Sequence, residues 1–175
     1  LYGDQYPIVL MVPSPQKWMI WLKEQLNLES KLTSDEIDAA TMYVADFLRS
    51  FSTLGISGIT LMEQTNFSIE LTECLGIYES IFNVAEHYHW ALGFHVEEFQ
   101  QELIKLQEKA EFVLFERSQE GIHPNGNAFG GFGPDFWSGY KEKLPIPKIG
   151  LVYGSIPEDA NPEIVLDTLT SLRRN

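Results

Sequence analysis

The chain has 175 residues, 44% of them apolar, with 13 Gly, 9 Pro and a single Cys. That length fits one domain, residues 1–175, able to bury a substantial core, and one cysteine excludes an internal disulfide scaffold. Acidic residues number 25 against 12 basic ones, a formal charge of −13, so most of the surface repels a phosphate backbone or an anionic lipid face, and no nucleic-acid or membrane partner is expected.

The acidic excess is uneven: residues 1–104 hold 15 acidic and 4 basic side chains. No apolar run reaches the roughly 18 residues of a membrane span. The start, Leu1-Tyr2-Gly3-Asp4, has neither an initiator Met nor the basic, then apolar, pattern of a secretion signal. A cytoplasmic protein with sequence preceding Leu1 is the expectation.

In chain order, Pro7 to Pro13 is a continuous apolar run closed by proline, the pattern of a buried parallel strand. Gln16 to Leu26 is amphipathic and carries Trp18 and Trp21. Thr33 followed by Glu36 matches a capping box. From there Ile37, Ala40, Val44, Phe47, Leu48, Phe51 and Leu54 recur at helical spacing until Gly55. A short strand from Ile56 to Met62 ends at Glu63, and a long helix is predicted over roughly Leu71 to Tyr88. Trp90 to Phe94 reads as a strand ending at His95, with a helix near Phe99–Lys109. Phe112 to Phe115 ends at Glu116. A short helix near Asp135–Lys143, a strand from Ile149 to Val152 ending at Tyr153, and a helix from Pro162 to Arg173 complete the pattern.

Five strands, each followed by a helix, predict an α/β fold with a parallel sheet, either a (β/α) barrel or a doubly wound sheet. The glycine-rich stretch from Asn125 to Gly133 reads as a flexible loop, about residues 121–134, in a position where barrel enzymes carry lids. It lacks the endings of a phosphate-binding or dinucleotide loop.

In a parallel barrel the chemistry sits at the C-terminal ends of the strands. The residues there are Glu63, His95 with Glu97, Glu116 with Arg117, and Tyr153. His95 and Glu97 lie two apart, on one side of an extended segment. With Glu116 they form a His/Glu/Glu set suited to zinc, manganese or iron. Alternatively, Glu97 and Glu98 open the next helix, whose dipole favours acids. Cys74 falls on a helix among Leu71, Leu75 and Tyr78, the setting of an inert buried thiol. His87 and His89 suit a helix C-terminus, and His123 sits in the glycine-rich loop. No G-x-S-x-G elbow is present, and the sequon at Asn66 has no secretion signal to give it meaning.

These strand-end residues carry a resemblance. PIVLMVPSP from Pro7 to Pro15, ADFLRSFSTLGISGITLMEQ from Ala45 to Gln64, FHVEE from Phe94 to Glu98, VLFERS from Val113 to Ser118 and IGLVYGSIPEDANPE from Ile149 to Glu163 occur in a consistent order. In that order the chain resembles the barrel of the cobalamin-independent methionine synthase and uroporphyrinogen decarboxylase superfamily. The resemblance implies a (β/α)8 TIM barrel of which this chain holds about five units, its C-terminal two-thirds.

In the methyltransferase branch, the resemblance implies a zinc ion held by His, Cys, Glu and Cys that activates a thiol as methyl acceptor. His95 and Glu116 fall on ligand positions, Glu97 falls where the first cysteine stands, and the second would lie beyond Asn175. The implied function is a methyltransferase-like enzyme dependent on zinc or another divalent metal, acting on a small thiol or anionic substrate. His95, Glu97 and Glu116 would be ligands, Glu97 a third ligand or a general base, and Glu63 and Tyr153 substrate contacts. Two alternatives stand beside it. One is a uroporphyrinogen decarboxylase-like enzyme; the other is a non-catalytic barrel segment that binds a second copy or a complementing segment.

Overall fold

The structure, a computed structural model, describes residues 7–64, 71–118, 126–137 and 153–173. Strand β1 (Val9–Pro13) is followed by helices α1 (Pro15–Gln25) and α2 (Ser34–Arg49), then by strand β2 (Gly58–Met62). Helices α3 (Leu71–Ile77) and α4 (Glu79–His87) lead to β3 (Ala91–Phe99). A 3-10 turn at Gln101–Leu103 opens into α5 (Ile104–Lys109), followed by β4 (Phe112–Ser118), β5 (Ala128–Gly130), α6 (Pro134–Trp137) and α7 (Pro162–Arg173).

The local reasons are legible in the cap residues. Ser14 accepts the Lys17 amide at the start of α1, with Pro15 in the first turn, where its missing N–H leaves no bond unmade. At α2 the Thr33 hydroxyl accepts from the Glu36 amide while the Glu36 carboxylate accepts from the Thr33 amide, the reciprocal pair that the spacing predicts. Lys23 of α1 reaches the same carboxylate at 2.8 Å and ties the two helices together.

All five strands are parallel, in the spatial order β1-β2-β3-β4-β5. Each new strand is therefore added on the same side. A doubly wound sheet reverses direction at a switch point, and none occurs among these strands. One face of the sheet packs against the helices. Ile59 and Leu61 of β2, Phe94 and Val96 of β3, and Val113 and Phe115 of β4 meet Ile37, Val44 and Leu48 of α2, Ile81 and Val84 of α4, and Leu106 of α5. On the other face Val9 and Met11 of β1 remain 44% and 38% exposed.

Several elements depart from the sequence reading. Strand β3 does not stop at His95: it continues to Phe99, because Val96 and Phe99 are fully buried and the ladder with β4 runs on to Ser118. Glu97 and Glu98 accordingly belong to a strand and do not open a helix. The helix predicted from Leu71 to Tyr88 is interrupted at Tyr78, which is fully buried and leaves the helical conformation (ψ 5°) between α3 and α4.

The glycine-rich stretch holds a strand as well as a turn. Strand β5 pairs Ala128 with Val113 and Gly130 with Phe115. Gly130 makes this possible, since a Cβ at that position would collide with the Phe115 carbonyl oxygen. Beyond it Phe132 and Gly154 form a further parallel bridge. The predicted strand Ile149–Val152, the latter part of the helix near Asp135–Lys143, His123 and the Asn66 sequon lie outside the described residues.

Candidate functional site

Polar side chains gather where β1 and β2 end and at the same level along β3 and β4, which run on beyond it. The sheet register aligns Pro13, Met62 and His95, and the amide of Glu63 donates to the His95 carbonyl at 2.8 Å. From this edge the side chains divide into two groups with different surroundings.

The first surrounds Glu63, which is 3% exposed. Its Oε1 accepts from the Ser14 hydroxyl at 2.8 Å and from the Gln64 amide at 3.0 Å, with the Gln16 side-chain amide at 3.5 Å. Its Oε2 accepts from the Tyr78 hydroxyl at 3.0 Å. The Gln16 backbone amide in turn donates to the Tyr78 oxygen at 3.4 Å, and the Cys74 thiol donates to the Gln16 carbonyl oxygen at 3.8 Å. Burial raises the proton affinity of Glu63, opposed in part by the bonds from Gln64, Ser14, Tyr78 and Gln16. Burial next to that carboxylate also pushes the Cys74 thiol up to about 12, so the thiol is inert. Burial, then Glu63, hold the Tyr78 hydroxyl well above its ordinary value.

The second group lies over β3 and β4. His95 Nε2 stands 3.8 Å from Glu116 Oε1, with side chains 12% and 20% exposed. Ser155 donates its hydroxyl to the same Glu116 oxygen at 2.6 Å, and the Tyr153 ring stands edge-on to the imidazole at 5.3 Å. His95 Nε2 is buried and has no hydrogen-bond partner among the described residues. Burial lowers the proton affinity of the ring; Glu116 opposes this, Lys17 reinforces it and Glu97 again opposes it. The imidazole is therefore neutral near pH 7. Burial and Glu116 raise the Tyr153 phenol.

The structure thus brings together His95, Glu116 and Tyr153 from the expected set. Glu63 lies one residue past the strand register at the same edge, sealed by donors of the chain itself. Glu97 is on the rim, 64% exposed and paired with Arg117 Nη2 at 2.7 Å; Arg117 also faces Glu98 at 3.7 Å. Ser155, Ser14, Gln16, Tyr78 and Lys17 were not singled out from sequence as site residues. Ser14 and Ser155 each carry a faint signal: Ser14 follows β1 directly, and Ser155 lies two residues beyond Tyr153.

The expected zinc or other divalent ion can be tested against these donors. His95 and Glu116 face each other, but Arg117 holds Glu97. Among the described residues no group of three His, Cys, Asp or Glu side chains is arranged around a common point. A catalytic zinc takes three protein ligands and leaves one position open. Among the described residues the expected set supplies two facing donors, His95 and Glu116, one short of that number. Among the described residues, no helix is long and apolar enough to cross a membrane. Comparison with protein-family models, with curated proteins and with solved structures returns no match.

Proposed function

We propose that this parallel α/β chain is part of a (β/α)8 barrel enzyme of the methyltransferase type, with its substrate site at the mouth over β3 and β4. The observation that carries the reading is the buried His95 Nε2, without a hydrogen-bond partner among the described residues, held 3.8 Å from the Glu116 carboxylate where β3 and β4 run past the ends of β1 and β2. The one-directional strand order supports the barrel, and the sequence resemblance supports the reaction class.

In this site the substrate places a proton-donating group between the two side chains. His95 Nε2 takes the proton as the group becomes a nucleophile, and Glu116 stabilises the imidazolium that forms. Ser155 fixes the carboxylate. A thiol or an amine meets this requirement, whereas an anionic head would face Glu116 directly. Because burial favours the neutral ring, the acid limb of the rate profile is expected below the ordinary histidine value of about 6.5.

The test is transfer of a labelled methyl group from sulfonium donors, which leave as neutral thioethers, to small thiols and amines. His95→Ala is expected to lower the rate by about 10²-fold or more. An unchanged rate would remove His95 from the chemistry. Elemental analysis of the same samples separates this from a metalloenzyme: one equivalent of metal, lost in His95→Ala, would replace the proton-acceptor role.

A second reading, a non-catalytic barrel segment that docks on a complementing segment or a second copy, is favoured by the exposed Val9 and Met11 on the face away from the helices. It predicts a dimer or larger assembly by light scattering. A stable monomer would count against it.

A further inference from the structure

We infer that the open edge of β1, flanked by the exposed stripe of α1, pairs with the same surface of a second copy of this chain, strand to strand and antiparallel about a two-fold axis. This rests on the docking reading given above, and it names the partner and the seam.

The backbone defines the edge. In a parallel ladder alternate residues turn their N–H and C=O to the same neighbour. The Ile8 carbonyl accepts from the Ser57 amide and the Ser14 amide donates to the Met62 carbonyl, so the even-numbered residues of this segment face β2. Val9 and Met11 therefore turn their N–H and C=O outward, and among the described residues no strand lies beyond them. Pro7 and Pro13 occupy the outward positions on either side and have no N–H to offer. The donors of this edge are thus Val9 and Met11 alone. Antiparallel pairing centred on Leu10 sets Val9 of one copy opposite Met11 of the other. Both donors then meet carbonyls, and each Pro7 lies against a Pro13, where no bond is owed. The edge is its own complement, as a two-fold interface requires.

The surrounding surface selects the partner. Pro7 to Leu22 contains no acidic residue and a single basic one, Lys17, in a chain of formal charge −13. Two such chains repel wherever their acids face each other, and this stretch is one through which they can approach. A bare strand edge is commonly guarded by a charged side chain, and none stands between Pro7 and Pro13. Exposed apolar side chains coincide with the same stretch: Ile8, Val9 and Met11 on the strand, and Trp18, Trp21 and Leu22 at helical spacing on α1. Helix α1 packs on β1 and α2, while α2 goes on to meet α3 and α4. It is therefore the outermost of these helices on the β1 side, and its stripe continues the apolar surface of the edge.

Light scattering of the chain at tens of micromolar is expected to give twice the chain mass. Met11→Pro removes an outward N–H and places the ring where the second copy lies, with no bond to β2 lost. It should weaken the dimer about tenfold or more. Val9→Glu puts an acid at the seam and should do the same; it carries the comparison if Met11→Pro does not fold, as judged by circular dichroism. Leu166→Glu adds the same charge at a 63% exposed apolar position on α7 and should leave the dimer unchanged.

A dimer that survives Met11→Pro and Val9→Glu, or one that Leu166→Glu weakens equally, would overturn this inference and leave the docking reading in place. A monomer would overturn the inference and count against that reading as well, leaving the edge to a strand from another source. A dimer lost in Met11→Pro and Val9→Glu, together with methyl transfer that depends on His95, would keep the inference and remove the non-catalytic reading.

Discussion

Replacing Glu63 with Ala is expected to cost about 3 kcal/mol or more of folding stability, because several buried donors lose their acceptor together. The Ser14 hydroxyl, the Tyr78 hydroxyl and the Gln64 amide all end on this carboxylate, in a setting closed to water. Glu63→Gln keeps an acceptor oxygen and removes the charge, so it should fold well. The comparison between Gln and the parent then reports how the carboxyl titrates. Burial raises the folded pKa above the unfolded value of about 4.3. The folded chain holds its proton to higher pH than the unfolded one, so the parent's stability from this group is complete below the unfolded value. It is lost as pH rises through the folded value. Denaturant midpoints measured from about pH 4 to pH 8 should show Glu63→Gln close to the parent at the acid end and increasingly more stable toward the alkaline end. A constant difference across that range would mean that Glu63 titrates alike in both states.

Gly130→Ala is expected to detach β5. The position has φ near +159°, and a Cβ would meet the Phe115 carbonyl oxygen and carbon, which belong to the backbone of the neighbouring strand and cannot swing aside. Relief requires β4 and β5 to separate, with loss of the pairing of Val113, Leu114 and Phe115 to Ala128, Phe129 and Gly130. A cost of about 2–4 kcal/mol follows from strain and lost pairing. Amide exchange should resolve it: protection of Gly131, whose amide donates to Phe115, should fall well before that of β2 and β3. Gly126→Ala is a useful comparison. It has φ near +65° with nothing within 4 Å of a built Cβ, so it loses only the backbone preference of glycine, about 1 kcal/mol. Equal effects at the two positions would exclude the steric explanation.

The parts of this fold readable from the chain are those written in local spacing. Thr33 and Glu36 are three residues apart, and Ile37, Val44 and Leu48 recur on one helical face, so α2 is visible before any packing is known. Pro162 and the periodic residues after it set α7 in the same way. The approach of His95 and Glu116 was also readable, because each follows an apolar run and the two runs pair as parallel neighbours.

What was not readable depends on partners far along the chain. Val96 and Phe99 become strand residues by pairing with β4, so the end of β3 cannot be set from its own sequence. Ser14 is 49 residues from the Glu63 it serves, and a carboxylate at a strand end looks the same in sequence whether it faces a substrate or four internal donors. Glu97 had the correct spacing to join His95; Arg117 on the adjacent strand drew it outward. In the glycine-rich stretch, composition pointed to a loop. The close approach of two backbones, which is why glycine is needed there, could be seen only once β4 was in place.

The strand order has a consequence for how the molecule is made. Because β2 pairs with β1, β3 with β2 and β4 with β3, every strand finds its neighbour one crossover back. A chain emerging from the ribosome can therefore extend the sheet in the order of synthesis, without holding an early strand open for a late one. The Ser14, Glu63 and Tyr78 cluster needs no residue beyond 78, so it can close before β3 exists. Each later unit can then dock on an edge already formed, so β3 and β4, which carry His95 and Glu116, are added to a base whose Glu63 carboxylate already has its donors.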